Sequence, residues 1–95
     1  MFVGTLRIEM HLPESHSLKE KRKIVKSIVG KVRARFNASV AEVGSNDKWQ
    51  LIEIGVTTVG NDGRHIDSSL SNIVNFVDSL YLAEIVNTEM EIISV

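Results

Sequence analysis

Lys19, Arg22, Lys23, Lys26 and Arg33 are the residues whose type and spacing point most directly to chemistry. At 100° per residue, with Val25 at zero, they lie between roughly 60° and 160° on a helical wheel, so they form one solvent-facing stripe. A linear row of cations matches a phosphate backbone, and each phosphate it neutralises releases counterions. Gly30 falls in the same arc, where a missing side chain lets a partner's backbone approach at about 1 kcal/mol of helix propensity. Three occupants compete: nucleic acid, an acidic protein partner, and plain solvent over a face partly neutralised by the protein's own carboxylates.

The other candidates are weaker. Helix N-termini attract anions. If both helices begin at the same end of the sheet, Glu14, Ser15, His16 and Ser17 face Asp62, Arg64 and His65 across a gap, giving a candidate anion site of Ser15, His16, Arg64 and His65. The bland alternative is capping by Ser17 and Asp62 with exposed histidines. Glu9, Glu89 and Glu91 could share a proton or a cation, because like charges raise one another's pKa, but a solvated face or an interface with Arg7 explains them as well. Three histidines without tight spacing name no metal site, and no cofactor is implied.

The charge balance sharpens the first candidate. Eleven Lys and Arg oppose twelve Asp and Glu for a net charge of −1. Residues 19–35 hold eight of the cations against Glu20 alone, +7, and the rest of the chain carries −8. Cysteine is absent, which removes disulfides, thiolate nucleophiles and iron–sulfur ligation and suits a reducing cytoplasm. The N-terminus reaches Arg7 too early for a signal peptide, and no apolar run approaches the roughly 20 residues of a spanning helix, so a soluble cytoplasmic protein without a membrane role is expected.

The elements that must position these residues follow from periodicity. Thr5 to Leu12 alternate, with Leu6, Ile8, Met10 and Leu12 on one side, and Pro13 ends the strand. Ser17-Leu18-Lys19-Glu20 is a capping box that starts a helix at Leu18, the glutamate reaching back to the serine amide. Its apolar residues Leu18, Val25, Ile28, Val29, Val32 and Phe36 share one face, and Asn37 is a suitable stop. Ala38 to Val43 and Lys48 to Val59 flank the turn Gly44-Ser45-Asn46-Asp47 as a hairpin. After Gly60-Asn61-Asp62-Gly63, a second helix carries Ile66, Leu70, Ile73, Val74, Val77, Leu80 and Tyr81, and Val86, Thr88, Met90 and Ile92 alternate with Asn87, Glu89, Glu91 and Ile93 in a last strand whose polar face is rich in carboxylates.

Ninety-five residues in the order βαββαβ make one domain over residues 1–95, an α+β ferredoxin-like sandwich. Its antiparallel sheet runs 4-1-3-2 with both helices on one face, Ile24 and Phe76 filling the seam between them. The other sheet face stays open. Positions where an RNA-recognition motif would place stacking aromatics hold Arg7, Glu9, His11, Leu51, Glu53 and Gly55, with Trp49 the one aromatic within reach, so sheet-face RNA recognition is rejected. Gly60-Asn61-Asp62-Gly63 is only superficially like the GXXG of KH domains.

The run Leu12-Pro13-Glu14-Ser15-His16-Ser17-Leu18-Lys19-Glu20-Lys21-Arg22, with Val40-Ala41-Glu42-Val43 and Trp49-Gln50, resembles the YlxP-like family of small bacterial proteins over essentially the whole chain. That family is a domain of unknown function, so the resemblance implies a ferredoxin-like fold and transfers no catalytic or ligand residue. Its members tend to be encoded among translation genes, which implies a ribosome or RNA connection by association. Missing cysteines exclude ferredoxins and copper chaperones, and the first loop lacks the phosphate cradle of acylphosphatases. The expectation is a non-enzymatic binding module for structured RNA or the ribosome, presented through the basic helix. The alternative is a homo-oligomeric interaction or regulatory domain that uses the open sheet face or the edge strand at residues 38–43.

Overall fold

A computed structural model describes residues 1–95. Strand β1 (Phe2–His11) leads to helix α1 (Leu18–Arg35), the hairpin β2 (Ser39–Gly44) and β3 (Leu51–Gly60), helix α2 (Gly63–Ser79) and strand β4 (Glu84–Ser94). Alternation in β1 and β3 sends Leu6, Ile8, Met10, Ile52, Ile54 and Val56 to one face, each at most 4% exposed. Val25, Ile28 and Val32 of α1 and Ile66, Leu70, Ile73 and Val77 of α2 close over that face in a single apolar cluster. Gly4 permits the tight approach of α2 to β1: a Cβ there would run into Ile66 and come within 2.9 Å of Leu70 Cδ1.

The sheet order is β2-β3-β1-β4, all pairs antiparallel, which is the expected 4-1-3-2 order read from the other edge. This ferredoxin-like arrangement corrects one expectation. Because His11 pairs with Leu51 and Phe2 with Gly60, β1 and β3 end at opposite ends of the sheet. The helices that follow them therefore start at opposite ends as well, α1 beside His11 and α2 beside Phe2.

Smaller differences have local causes. The hairpin connection spans residues 45–50, longer than the expected four, and Gln50 at its end holds the loop before α1. Its carbonyl accepts from the Leu12 amide at 2.8 Å, and its side-chain amide donates to the Pro13 and Ser15 carbonyls, both at 3.2 Å. Asn37 is not a left-handed stop: α1 ends at Phe36 in extended backbone, and only Ser45 (φ 55°) and Tyr81 (φ 52°) are left-handed. Tyr81 leaves the apolar face of α2 and is 90% exposed. The helix seam holds Phe76 and Phe36, edge to face at 5.6 Å between centroids, and Ile24 is likewise partly buried against the core.

Candidate nucleic-acid interface

Ser17, extended at φ −160°, accepts the Glu20 amide on Oγ at 3.1 Å and starts α1 at Leu18. The Glu20 carboxylate reaches back one residue further than a standard capping box and takes the His16 amide at 2.6 Å. With Val25, Ile28 and Val32 turned to the sheet, Lys19, Arg22, Lys23 and Lys26 are exposed on the opposite side. None of these four enters an ion pair or side-chain hydrogen bond within the chain: its ion pairs use only Arg7 and Lys21 as cations. Arg33 differs, because its guanidinium donates to the Val40 carbonyl of edge strand β2 at 2.8 Å. Lys31 donates to Ser27 Oγ, and Arg35 stacks 4.9 Å from the Phe76 centroid. At Gly30 an added Cβ would meet nothing within 4 Å, so no packing within the chain requires a glycine there.

Lys21 is the residue that the charge pattern concealed. It is 0% exposed, and its ammonium donates to the Ser45 carbonyl at 2.6 Å and the Leu51 carbonyl at 3.2 Å, with Glu42 Oε2 3.1 Å away. That oxygen has no hydrogen bond and is held by charge alone. A signal existed: at 100° per residue Lys21 lies roughly 40° from Val25, inside the apolar arc.

The open sheet face is governed by Arg7, which pairs with Glu53 and lies 3.5 Å from Glu9 and 3.9 Å from Glu89. Ser45 Oγ donates to Glu53 at 2.8 Å. That hydrogen bond, then the one from Arg7, lowers the Glu53 pKa below its ordinary 4.5, while Glu53 raises that of Arg7. Glu9 and Glu89 thus flank a guanidinium, Glu91 has no cationic partner, and no three His, Asp or Glu side chains are grouped to hold a metal ion.

The four residues of the candidate anion site are not brought together. Ser15 is buried at the start of α1, with Oγ donating to the Ser17 carbonyl at 3.1 Å. His16 is exposed beside it, whereas Arg64 and His65 open α2 at the other end of the sheet, where Asp62 Oδ1 accepts the Arg64 amide at 2.9 Å. Antiparallel β1 and β3 are the reason. Trp49 also lies off the sheet face, in the hairpin connection beside His11 and Lys48, and is 53% exposed.

Comparison with known proteins agrees with this architecture. Over 77 residues the chain is 32% identical to "Uncharacterized protein YlxP" of Bacillus subtilis (strain 168), covering 81% of this chain and 84% of that protein. A crystal structure of an antibiotic biosynthesis monooxygenase is similar with a TM-score of 0.50 at 10% identity, over 98% of this chain and 97% of that one. The de novo designed protein Foldit4 is similar with a TM-score of 0.47 at 17% identity, over 97% and 92%. At such identities the likeness to solved structures concerns fold alone. The family model described as "Protein of unknown function (DUF503)" matches residues 3–90, and with the sequence match to YlxP it places the chain in that family of YlxP-like proteins.

Proposed function

We propose that this protein is a non-enzymatic binding module of the cytoplasm whose first helix docks on the phosphate backbone of structured RNA, ribosomal RNA included. One observation carries the reading: Lys19, Arg22, Lys23 and Lys26 share one exposed face and are left without carboxylate partners by a chain that has twelve. That argues against a face neutralised from within. Phosphate contacts of this kind position an RNA without reading its bases. Crosslinking and pull-down from native lysate, with bound RNA sequenced, tests it. Enrichment of structured RNA, lost in the double variant Lys23→Glu/Lys26→Glu, supports the reading; equal recovery by both proteins removes it.

A second reading is self-association along a sheet edge. It rests on β4, an outermost strand whose Val86 is 54%, Met90 39% and Ile93 42% exposed, and whose outer amides and carbonyls have no ladder partner. Face-to-face stacking of two open sheets is disfavoured, since it would bring Glu9, Glu89 and Glu91 of both copies together with only one Arg7 from each. The second strand edge, at β2, is partly blocked by Arg33 on the Val40 carbonyl.

A further inference from the structure

The N-terminal end of the basic stripe lies where β1 stops and β3 and β4 begin. The two most exposed aromatic side chains of the molecule are at that same end. Trp49 is 53% and Tyr81 90% exposed, whereas Phe2, Phe36 and Phe76 pack against the core. One shallow hollow joins Trp49, Lys48 and His11, and an adjoining one joins His11, Pro13 and Tyr81. Through Leu82 the second hollow continues into one bordered by Lys23. Aromatic faces and the start of the basic stripe therefore belong to one continuous surface.

Neither ring is exposed through slack in the chain. Gln50, next to Trp49, is tied by three hydrogen bonds to Leu12, Pro13 and Ser15. Tyr81 is left-handed at φ 52°, where a bulky residue is strained and glycine is the cheap choice for closing a helix. A large aromatic at a position that favours glycine, turned fully to solvent, contributes nothing to the core that would explain it.

We propose that Trp49 and Tyr81 form a base-stacking platform, so that the RNA bound through α1 carries unpaired bases, in a loop or single-stranded extension, beside its backbone contacts. This rests on the RNA reading of the helix and narrows its substrate class. Every base has a π-face for an aromatic ring, but in a duplex those faces are already stacked. Glu14, Asp78 and Glu84 border Tyr81. Carboxylates accept base amino groups, so these side chains suit the edges of bases rather than phosphates.

Trp49 is the only tryptophan, so its fluorescence reports on the platform directly. The probes are two RNAs of equal length, a stem with an unpaired loop and a blunt duplex. The loop RNA quenches Trp49 and binds more tightly, and Trp49→Ala or Tyr81→Gly each weakens loop binding roughly five-fold or more while leaving duplex binding unchanged. Tyr81→Gly also relieves backbone strain, so its melting temperature stays at or above that of the parent and the loss is not unfolding. Equal binding of both RNAs without quenching, weakened by Lys23→Glu/Lys26→Glu but not by the aromatic variants, overturns the platform and leaves the helix reading standing. Failure of both RNAs to bind at all overturns the helix reading, and the platform with it.

Discussion

Lys21 concentrates the energetics of this fold in one side chain. Its ammonium joins α1 to both ends of the β2–β3 connection through Ser45 and Leu51, and truncation would strand the Glu42 carboxylate. Removing one partner of a buried pair is costly because the other charge stays desolvated. Lys21→Ala is therefore expected to lower unfolding free energy by about 3–5 kcal/mol in denaturant titrations. Ser17→Ala removes a single capping bond and is expected to cost about 1 kcal/mol. Glu53 makes stability depend on pH. Its folded pKa lies below its ordinary 4.5, so its contribution is present above that value and is lost as pH falls through the folded pKa. Glu53→Gln should accordingly differ from the parent in denaturant midpoint at pH 6, with the difference shrinking as the pH drops below 4.5.

At the scale of elements, α1 holds two incompatible surfaces on one cylinder. Its inner arc packs against the sheet, and its outer arc repels itself. Gly30 lies on the outer arc with open space around its Cα, so Gly30→Ala is expected to stabilise the protein by up to about 1 kcal/mol through helix propensity. If an RNA backbone approaches there, the same change weakens RNA binding. Opposite signs in thermal melts and in binding would mark the glycine as a contact point, whereas a gain in stability without loss of affinity would leave it with no role in binding. Strand β4 is the other exposed element, and its uncovered edge makes the protein's mass at high concentration informative. Sedimentation showing a strict monomer removes the self-association reading.

For the whole molecule, the relevant quantity is the division of charge rather than its sum. The +7 of residues 19–35 is not cancelled locally: apart from the buried Lys21–Glu42 pair, the ion pairs all gather around Arg7 on the far side of the sheet. A molecule polarised in this way steers a polyanion toward its helical face. With four free cations reaching phosphates, the log of affinity should fall against log salt with a slope of about −3 to −4, and unrelated structured RNAs should share that slope. Lys23→Glu/Lys26→Glu should flatten it without lowering the melting temperature, since both side chains face solvent. A salt-insensitive interaction would show that the stripe is not the contact surface.

Local periodicity was enough to set the six elements, the buried faces of β1, β3, α1 and α2, the sheet order and the arc of Lys19, Arg22, Lys23 and Lys26. Each of these depends on the geometry of a single element or on the small number of ways βαββαβ can close. It did not set the inner face of β4, where a register shift brings Ile85 rather than Val86 to the core. Tertiary closure decided what depends on partners distant in sequence. Lys21 is buried because carbonyls 24 and 30 residues away receive its ammonium, and Arg33 is committed because the edge of β2 passes within reach of it. Ser15 and His16 are separated from Arg64 and His65 because β1 and β3 run antiparallel. Trp49 and Tyr81 lie at the same end of the sheet for the same reason: the starts of β3 and β4 both lie beside the end of β1, a relation between strands that no residue pattern within either strand contains.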